Sequence, residues 1–221
     1  GLPLNTHKEY HKTVREQLVG KHEVAGRIIE IKKATVVMQP QGALVAFNEK
    51  NKGLAARDSN SLVLDLGGGT FDWFLCNGAK PVFDRSGAHQ KGMLACVFYV
   101  CDKIKAGLRN DPMMVERVDK AIRSGAKTVK VAGQDWELEP HLAGVRAILQ
   151  ECINVMLASV SNLDVVDQIL ITGGGGELLL EELKGMLPHY KHMMSIEPDP
   201  VFANVRGFHL LGMMVAHAAR K

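Results

Sequence analysis

The feature that most constrains this chain is a short apolar run followed by an aspartate and three consecutive glycines. Residues 62–74 read Leu-Val-Leu-Asp-Leu-Gly-Gly-Gly-Thr-Phe-Asp-Trp-Phe. The apolar start predicts a buried strand, and glycines let a backbone turn sharply and point its N–H groups at phosphate oxygens. A carboxylate beside such a turn can hold the hydrated Mg²⁺ that accompanies a nucleotide. The segment therefore predicts a hairpin for phosphate and metal.

Glycine triplets also occur in plain loops, so the order of the neighbouring residues carries the argument. Asp65, the glycines, Thr70 and Asp72 follow the strand in a fixed order. No Gly-Lys-Ser/Thr ending follows, which excludes the P-loop. The spacing and the lack of a helix directly after the glycines exclude the dinucleotide fingerprint.

A second glycine-rich turn lies about a hundred residues further on. Residues 167–172 form an apolar run, four glycines follow it, and Glu177 opens an amphipathic segment. A strand that leads through glycines into a helix start lets a nucleotide rest against bare backbone. A tight turn without a ligand has the same pattern, but two such turns in one α/β chain favour nucleotide binding.

Together these motifs resemble those of the actin, sugar-kinase and heat-shock chaperone ATPase superfamily. Residues 65–72 are similar to its second phosphate motif, and residues 171–177 are similar to its adenosine motif. Within the superfamily the chain resembles ParM-like plasmid-segregation actins. More narrowly, residues 1–4, 65–73 and 200–207 resemble the actin-like protein D group of the PRTRC plasmid-associated gene system. The resemblance implies an α/β, ribonuclease-H-like actin-type ATPase fold over essentially the whole chain.

The resemblance also implies a domain division. It places the remainder of an incomplete first domain at 1–57, a complete second domain at 58–200 with a small inserted subdomain at about 105–140, and a C-terminal helix returning to the first domain at 201–221. The superfamily's first phosphate motif, an Asp-x-Gly hairpin, does not precede Asp65. The N-terminal part of the protein is therefore expected to be absent from this chain, and a short protein with one phosphate hairpin is the alternative.

The catalytic roles come from the same resemblance. Gln39, just before a predicted helix, is expected to orient the water that attacks the terminal phosphate, with Gln41 as the alternative. The alternative is that both glutamines are ordinary polar loop residues without a catalytic role. Asp65 is the second catalytic candidate and the metal candidate, reaching Mg²⁺ through its water shell. Asp72 is expected either to join it or to stabilise the hairpin through backbone N–H groups.

The remaining implied contacts surround ATP or ADP. Those facing the β- and γ-phosphates are Gly67, Gly68, Gly69 and Thr70; those near the nucleoside are Gly173, Gly174, Gly175, Gly176, Glu177 and Lys103. A helix-start carboxylate explains Glu177 without a ligand. For Lys103 the corresponding alternative is a solvated surface lysine without a ligand.

Composition agrees with a cytoplasmic α/β protein. The chain has 221 residues, of which 46% are hydrophobic and 23% charged, enough to bury a sizeable core. A net charge of +3 is too small to indicate nucleic acid as the main partner. The sequence contains no run of about 18 apolar residues and no signal-peptide pattern, so it indicates neither a membrane span nor export. The four cysteines form no C-x-x-C pair, which predicts reduced core thiols.

Periodicity predicts the other elements. Helices are expected over 10–18, from 41, and over 91–108, 113–122, 142–160 and 202–219; strands are expected at 28–31, 35–38, 73–82 and 128–131; and 51–60 is expected to be a loop or domain crossover.

The favoured function is that of a bacterial actin-like ATPase that hydrolyses Mg-ATP and forms filaments in plasmid segregation. Its expected partners are itself and an adaptor protein on plasmid DNA, without direct nucleic-acid contact and without a membrane. This chain alone is expected to be inactive, because the first phosphate motif is missing. The alternatives are a chaperone-like or kinase-like member of the superfamily, or a scaffold without turnover.

Overall fold

A six-stranded sheet organises the computed structural model, which describes residues 1–50, 59–78 and 80–218. The strands are β1 (Gly20–Val24), β2 (Arg27–Ile31), β3 (Asn60–Leu66), β4 (Phe71–Asn77), β5 (Lys80–Pro81), β6 (Gly87–His89), β7 (Thr128–Val131), β8 (Gln134–Glu137), β9 (Gln168–Thr172) and β10 (Met194–Ile196). The helices are α1 (Leu4–Leu18), α2 (Gln39–Lys50), α3 (Met93–Ile104), α4 (Pro112–Arg123), α5 (Glu139–Val160), α6 (Gly176–Met186) and α7 (Ala203–Ala218).

The strand order in the sheet is β10-β9-β3-β4-β5, with β6 on β4. β3, β9 and β10 run parallel, whereas β4 returns antiparallel beside β3 with Asp65 opposite Asp72. The pairs β1–β2 and β7–β8 are separate antiparallel hairpins.

The sheet is covered on both faces because its strands alternate between two apolar cores. Leu62, Leu64 and Leu66 enter the larger core with buried residues of α3, α5 and α6. Val63 enters a smaller core with Leu4 and buried residues of α2 and α7. The period of two puts Asp65 on this second face, toward α2 and α7.

Most predicted elements are present, with two differences. Residues 35–38 form no strand; only a single bridge joins Leu2 to Met38. The helix predicted over 91–108 ends at Ile104, and the chain then turns through Gly107 at a φ of +80°. In the expected loop at 51–60, residues 51–58 lie outside the described residues. Between α3 and α5, the segment at about 105–140 forms α4 and the β7–β8 hairpin; the domain division itself stays a prediction.

Two features of the cores bear on the expected environment. All four cysteines are free and buried, which confirms the prediction of core thiols. Helix α5 is, in the described part of the chain, the one helix long and apolar enough to cross a membrane by length and composition. Core helices meet the same criteria, and α5 places six buried side chains in the larger core.

Candidate functional site

The two glycine turns meet at one edge of the sheet. β3 and β9 are parallel neighbours with Asp65 beside Thr172, so the turns that follow them lie at the same end. The Gly175 N–H donates to the Leu66 carbonyl over 3.1 Å. A side chain at Gly173 would overlap this carbonyl and the Asp65 Oδ1 atom. The structure therefore brings both predicted motifs together.

The first turn, residues 67–70, sits on the start of α3. The Gly67 N–H donates to the Thr70 carbonyl over 3.0 Å, and the Gly67 and Gly68 carbonyls accept from the N–H groups of Met93 and Leu94 over 2.9 Å. A Cβ at Gly92 would collide with these same carbonyls. The hairpin thus uses the first N–H groups of the helix, and Gly92, which our sequence analysis missed, makes the contact possible.

Some glycines of the turns are not required by the fold. Gly69 and Gly174 are exposed, a Cβ on either would meet no atom within 4 Å, and neither has a positive φ. The N–H groups of Gly68, Gly69 and Gly174 make no hydrogen bond with any residue in the described ranges. These three N–H groups are therefore available to an acceptor from outside the protein.

Other predicted phosphate contacts are occupied within the protein. The Gly67 N–H closes the hairpin, as described above, and the Thr70 hydroxyl donates to Asp72 Oδ2 over 2.8 Å. Neither of these two hydrogens is free for a phosphate in this structure, and the expected contacts of Gly67 and Thr70 with phosphate stay predictions.

The second turn is built mainly from glycines that packing demands. Gly173 has a φ of +88°, and its N–H donates to the Pro200 carbonyl over 3.1 Å. A Cβ at Gly175 would collide with the side chains of Leu66 and Met93. Gly176 begins α6, and the exposed Glu177 follows it in the first turn of that helix. Of the four glycines, Gly174 is the one with open space.

Asp65 and Asp72 form a buried cross-strand pair with different partners. Asp72 accepts from the Leu4 N–H at Oδ1 over 3.1 Å and from Thr70 at Oδ2, so both oxygens are occupied. Asp65 accepts one hydrogen bond, from the Asn204 side-chain amide to Oδ2 over 2.6 Å. Asp72 therefore stabilises the hairpin and anchors α1, in line with one of the two roles expected for it.

Burial affects the charge of both carboxylates. Burial raises the pKa of Asp65 to about 6; the Asn204 hydrogen bond opposes this shift, and the neighbouring Asp72 adds to it. Burial also raises the pKa of Asp72, against the hydrogen bonds from Thr70 and Leu4. Neither carboxylate forms a salt bridge with a residue that the structure describes. A cation beside Asp65 would relieve this desolvated charge.

The donor set fits Mg²⁺ better than a metal enclosed by protein. Mg²⁺ keeps several waters and is usually bound through one or two carboxylates and substrate phosphates. Over the described ranges, no group of three or more His, Cys, Asp or Glu side chains could hold a metal ion. Asp65 is the next-to-last residue of the strand that leads into the turn with the unbonded N–H groups of Gly68 and Gly69, so a hydrated ion and a phosphate would be held by neighbouring parts of one hairpin.

The two candidate glutamines differ in what their side chains do. Gln41 Oε1 accepts from the Met38 N–H over 3.1 Å at the start of α2. The Gln39 side chain is half-buried and makes no hydrogen bond within the described part of the chain. The geometry therefore favours Gln39 as the carboxamide that remains available.

Lys103 lies well along α3 from the phosphate hairpin. It is ten residues beyond the start of α3, which is about 15 Å along a helix with a rise of 1.5 Å per residue. Its Nζ lies 5.5 Å from the centre of the Tyr99 ring, and the side chain is exposed. The expected contact with the nucleoside stays a prediction.

Residues 200–207 close the site from the side of α7. The Pro200 carbonyl accepts from the Gly173 N–H and from the Thr172 hydroxyl, the latter over 2.8 Å. Asn204 reaches Asp65 from the first turn of α7. The sequence predicted a helix here and a family resemblance, but no local pattern indicated a role for Asn204.

The chain is similar in sequence and in fold to known proteins. Residues 63–185 match the family model described as archaeal actin homologue MreB-like, C-terminal. Among solved structures, the apo psk41 ParM protein superposes with a TM-score of 0.70 at 22% identity, covering 100% of this chain and 64% of that chain. Ta0583, an archaeal actin homologue in complex with ADP, gives a TM-score of 0.75 at 18% identity, covering 96% and 70%.

A filament structure is also similar. The 15-stranded ParM filament from Clostridium botulinum gives a TM-score of 0.73 at 22% identity, covering 97% of this chain and 65% of that chain. This chain therefore spans about two thirds of the length of these proteins, and 64% of the psk41 ParM chain. The similarities confirm the predicted actin-type α/β fold.

Proposed function

The chain belongs to the family of archaeal MreB-like actin homologues, matching its C-terminal model, and on this premise we propose that its two glycine turns bind ATP or ADP with Mg²⁺. The observation that carries the proposal is that Gly69 and Gly174 are glycines at positions where packing and backbone conformation do not require one. Both have room for a side chain, and both leave an N–H group without a partner in the described structure. Close approach of a phosphorylated ligand accounts for both properties.

The proposed roles follow from what each group can do. The N–H groups of Gly68, Gly69 and Gly174 donate to phosphate oxygens. Asp65 holds the hydrated Mg²⁺, and this ion neutralises charge on the phosphates when it is bound. Gln39 accepts from the attacking water and orients it, because a carboxamide positions a nucleophile without acting as a strong base. Glu177 stands at the start of α6, within the edge proposed for the nucleoside.

The proposal extends to assembly by analogy with the fold. The Clostridium botulinum ParM structure is a filament, and this chain shares its fold. We propose that the protein polymerises with ATP, that hydrolysis changes filament stability, and that a cytoplasmic filament of this kind moves plasmid DNA through an adaptor protein. The narrower assignment to the PRTRC group stays a prediction from the sequence.

Substitution of the open glycines tests nucleotide binding. Gly69→Ala and Gly174→Ala should each weaken binding of a fluorescent ATP analogue by about tenfold while the melting temperature stays within about 2 °C, because the new methyl groups meet only the ligand. Gly185→Ala is the control, since Gly185 is an exposed position of α6 with equally open space. Wild-type affinity in both variants, or no binding by the wild-type chain, would overturn the proposal.

Polymerisation has its own measurement. Light scattering of the wild-type chain should rise with protein concentration above a threshold when Mg-ATP is present. Scattering that is indifferent to nucleotide would contradict nucleotide-dependent assembly and favour a scaffold without turnover.

A further inference from the structure

The side-chain amide of Asn204 joins two parts of the proposed site. Its Nδ2 donates to Asp65 Oδ2 over 2.6 Å, and its Oδ1 accepts from the Ala43 N–H over 3.2 Å. Ala43 lies in the first turns of α2, the helix that begins at Gln39. One amide therefore connects the proposed metal carboxylate to the helix that carries the proposed water-orienting residue.

The two contacts can be made in only one orientation of the amide. The carboxylate needs a donor and the Ala43 N–H needs an acceptor, and an asparagine side chain supplies one of each. One oxygen of Asp65, Oδ2, is held by Asn204, and the other, Oδ1, faces the second turn, where it would contact any side chain at Gly173. The hydrogen bond thus fixes the rotation of the carboxylate and leaves one oxygen directed toward the turns.

The backbone of Asn204 is held in place by close helix packing. A Cβ at Gly207 would overlap the Gly42 carbonyl, and a Cβ at Gly42 would overlap the Asn204 carbonyl. α2 and α7 therefore cross in direct backbone contact beside Asn204. Even a small displacement of one helix toward the other would produce a steric clash at this point.

Ion pairs to a buried glutamate add a second anchor. Glu197, which is 2% exposed, follows β10 and contacts Lys50 Nζ over 3.2 Å and Arg206 over 3.1 Å. Lys50 ends α2, and Arg206 lies two residues beyond Asn204 on α7. The same helix pair is thus fixed to the end of the sheet next to the second turn.

We infer that Asn204 is a positioning residue that sets the orientation of the Asp65 carboxylate and of the first turns of α2 for Mg-dependent nucleotide binding and hydrolysis. The inference rests on the proposed function. It assigns Asn204 no contact with the nucleotide itself. Its loss should therefore affect the magnesium-dependent part of binding and turnover, and leave magnesium-free binding unchanged.

The test compares Asn204→Leu with wild type in the whole chain. ATP affinity is measured in EDTA and in Mg²⁺, and the ratio of the two is the magnesium-dependent gain. The gain should fall at least about tenfold, as is typical when a group that orients a metal ligand is removed. The affinity in EDTA should change less than about twofold, because Asn204 does not contact the nucleotide.

Asn60→Leu is the matched control. Asn60 lies at the opposite end of β3, and its amide likewise bridges two partners, donating to the Val165 carbonyl over 2.7 Å and accepting from Asn77 over 3.0 Å. This variant should keep the wild-type gain. If Asn204→Leu does not fold, Asn204→Ser, which is smaller and cannot span both partners, should show the same loss.

The outcomes separate the two levels of inference. A wild-type chain with no magnesium-dependent gain overturns the proposed function and this inference with it. A normal gain in wild type that persists in the Asn204 variants overturns the positioning role alone. An equal loss of affinity in EDTA and in Mg²⁺ also overturns it, because that result indicates a merely structural residue.

Discussion

The two glycine turns lie side by side, but they combine packing and open backbone in different proportions. In the first turn, Gly68 and Gly69 are exposed, and the glycine that packing requires, Gly92, lies outside the turn at the start of α3. In the second turn, Gly173 and Gly175 pack against β3 and α3 and leave no space for a side chain, whereas Gly174 has open space. A run of identical residues can therefore contain both glycines that packing requires and glycines that it does not.

The first turn also carries the charge. Its flanking strands supply Asp65 and Asp72, whereas the corresponding positions of the second turn are the uncharged Thr172 and the exposed Glu177. Asp72 is satisfied by protein donors and Asp65 is only partly so. The hairpin therefore pairs one structural acid with one that is free to serve a ligand.

The largest expected effect distinguishes the two kinds of glycine. Gly173→Ala should destabilise the chain by about 3 kcal/mol or more, because the methyl group meets backbone and the φ of +88° disfavours alanine. Gly174→Ala should leave the urea midpoint nearly unchanged. Equal midpoints for the two variants would contradict the division of the second turn.

A smaller effect should separate the two carboxylates. Asp72→Ala should lower the free energy of unfolding by about 2 kcal/mol, because it leaves the buried Leu4 N–H without its acceptor and removes the Thr70 partner. Asp65→Asn should not destabilise the chain at pH 7, because it removes a desolvated charge and keeps an acceptor for Asn204. Urea titrations of both variants at pH 7 measure this difference. A larger loss in Asp65→Asn than in Asp72→Ala would reverse our assignment.

The smallest effect is a pH dependence. Folding raises the pKa of Asp65 from 3.8 to about 6, so between these values the folded chain binds more protons than the unfolded chain. The stabilisation from this group is complete below the lower value and is lost as pH rises through the upper one. The contribution changes by at most about 1.4 kcal/mol per pH unit.

Asp65→Asn serves as the reference for that measurement. The difference in unfolding free energy between wild type and Asp65→Asn, taken from urea titrations at pH 5, 6 and 7, should grow in favour of the variant as pH increases. A difference that is constant over this range would show that Asp65 is not destabilised by burial.

The local parts of the fold follow from local patterns. The apolar run before Asp65 predicted β3, the spacing of Val145, Leu149 and Met156 predicted α5, and both are buried as expected. The strand expected at 35–38 is absent, because a β-branched run forms a strand only where a neighbour offers hydrogen bonds. Here the backbone of Leu2 bonds to the Val37 carbonyl and the Gln39 N–H, which gives a single bridge opposite Met38 and no ladder.

The site was predicted to the level of motifs and no further. Sequence placed Asp65 and both glycine runs in one site through the resemblance, but it treated Gly67 and Gly69 as equivalent and included Lys103. Hydrogen bonding within the turn distinguishes the first two, and Lys103 lies ten residues along α3 from the hairpin. Both depend on geometry across many residues, which composition and spacing do not encode.

The sequence by itself determined the alternating strands, the two glycine motifs and the family resemblance, because these depend on side-chain periodicity and local backbone freedom. Only the tertiary structure decided which glycines have room, which aspartate is satisfied, and that Asn204 from α7 completes the site. The contact between Asn204 and Asp65 spans 139 positions of the chain. Its existence depends on how α2, α7 and the sheet pack, and packing is a property of the whole fold.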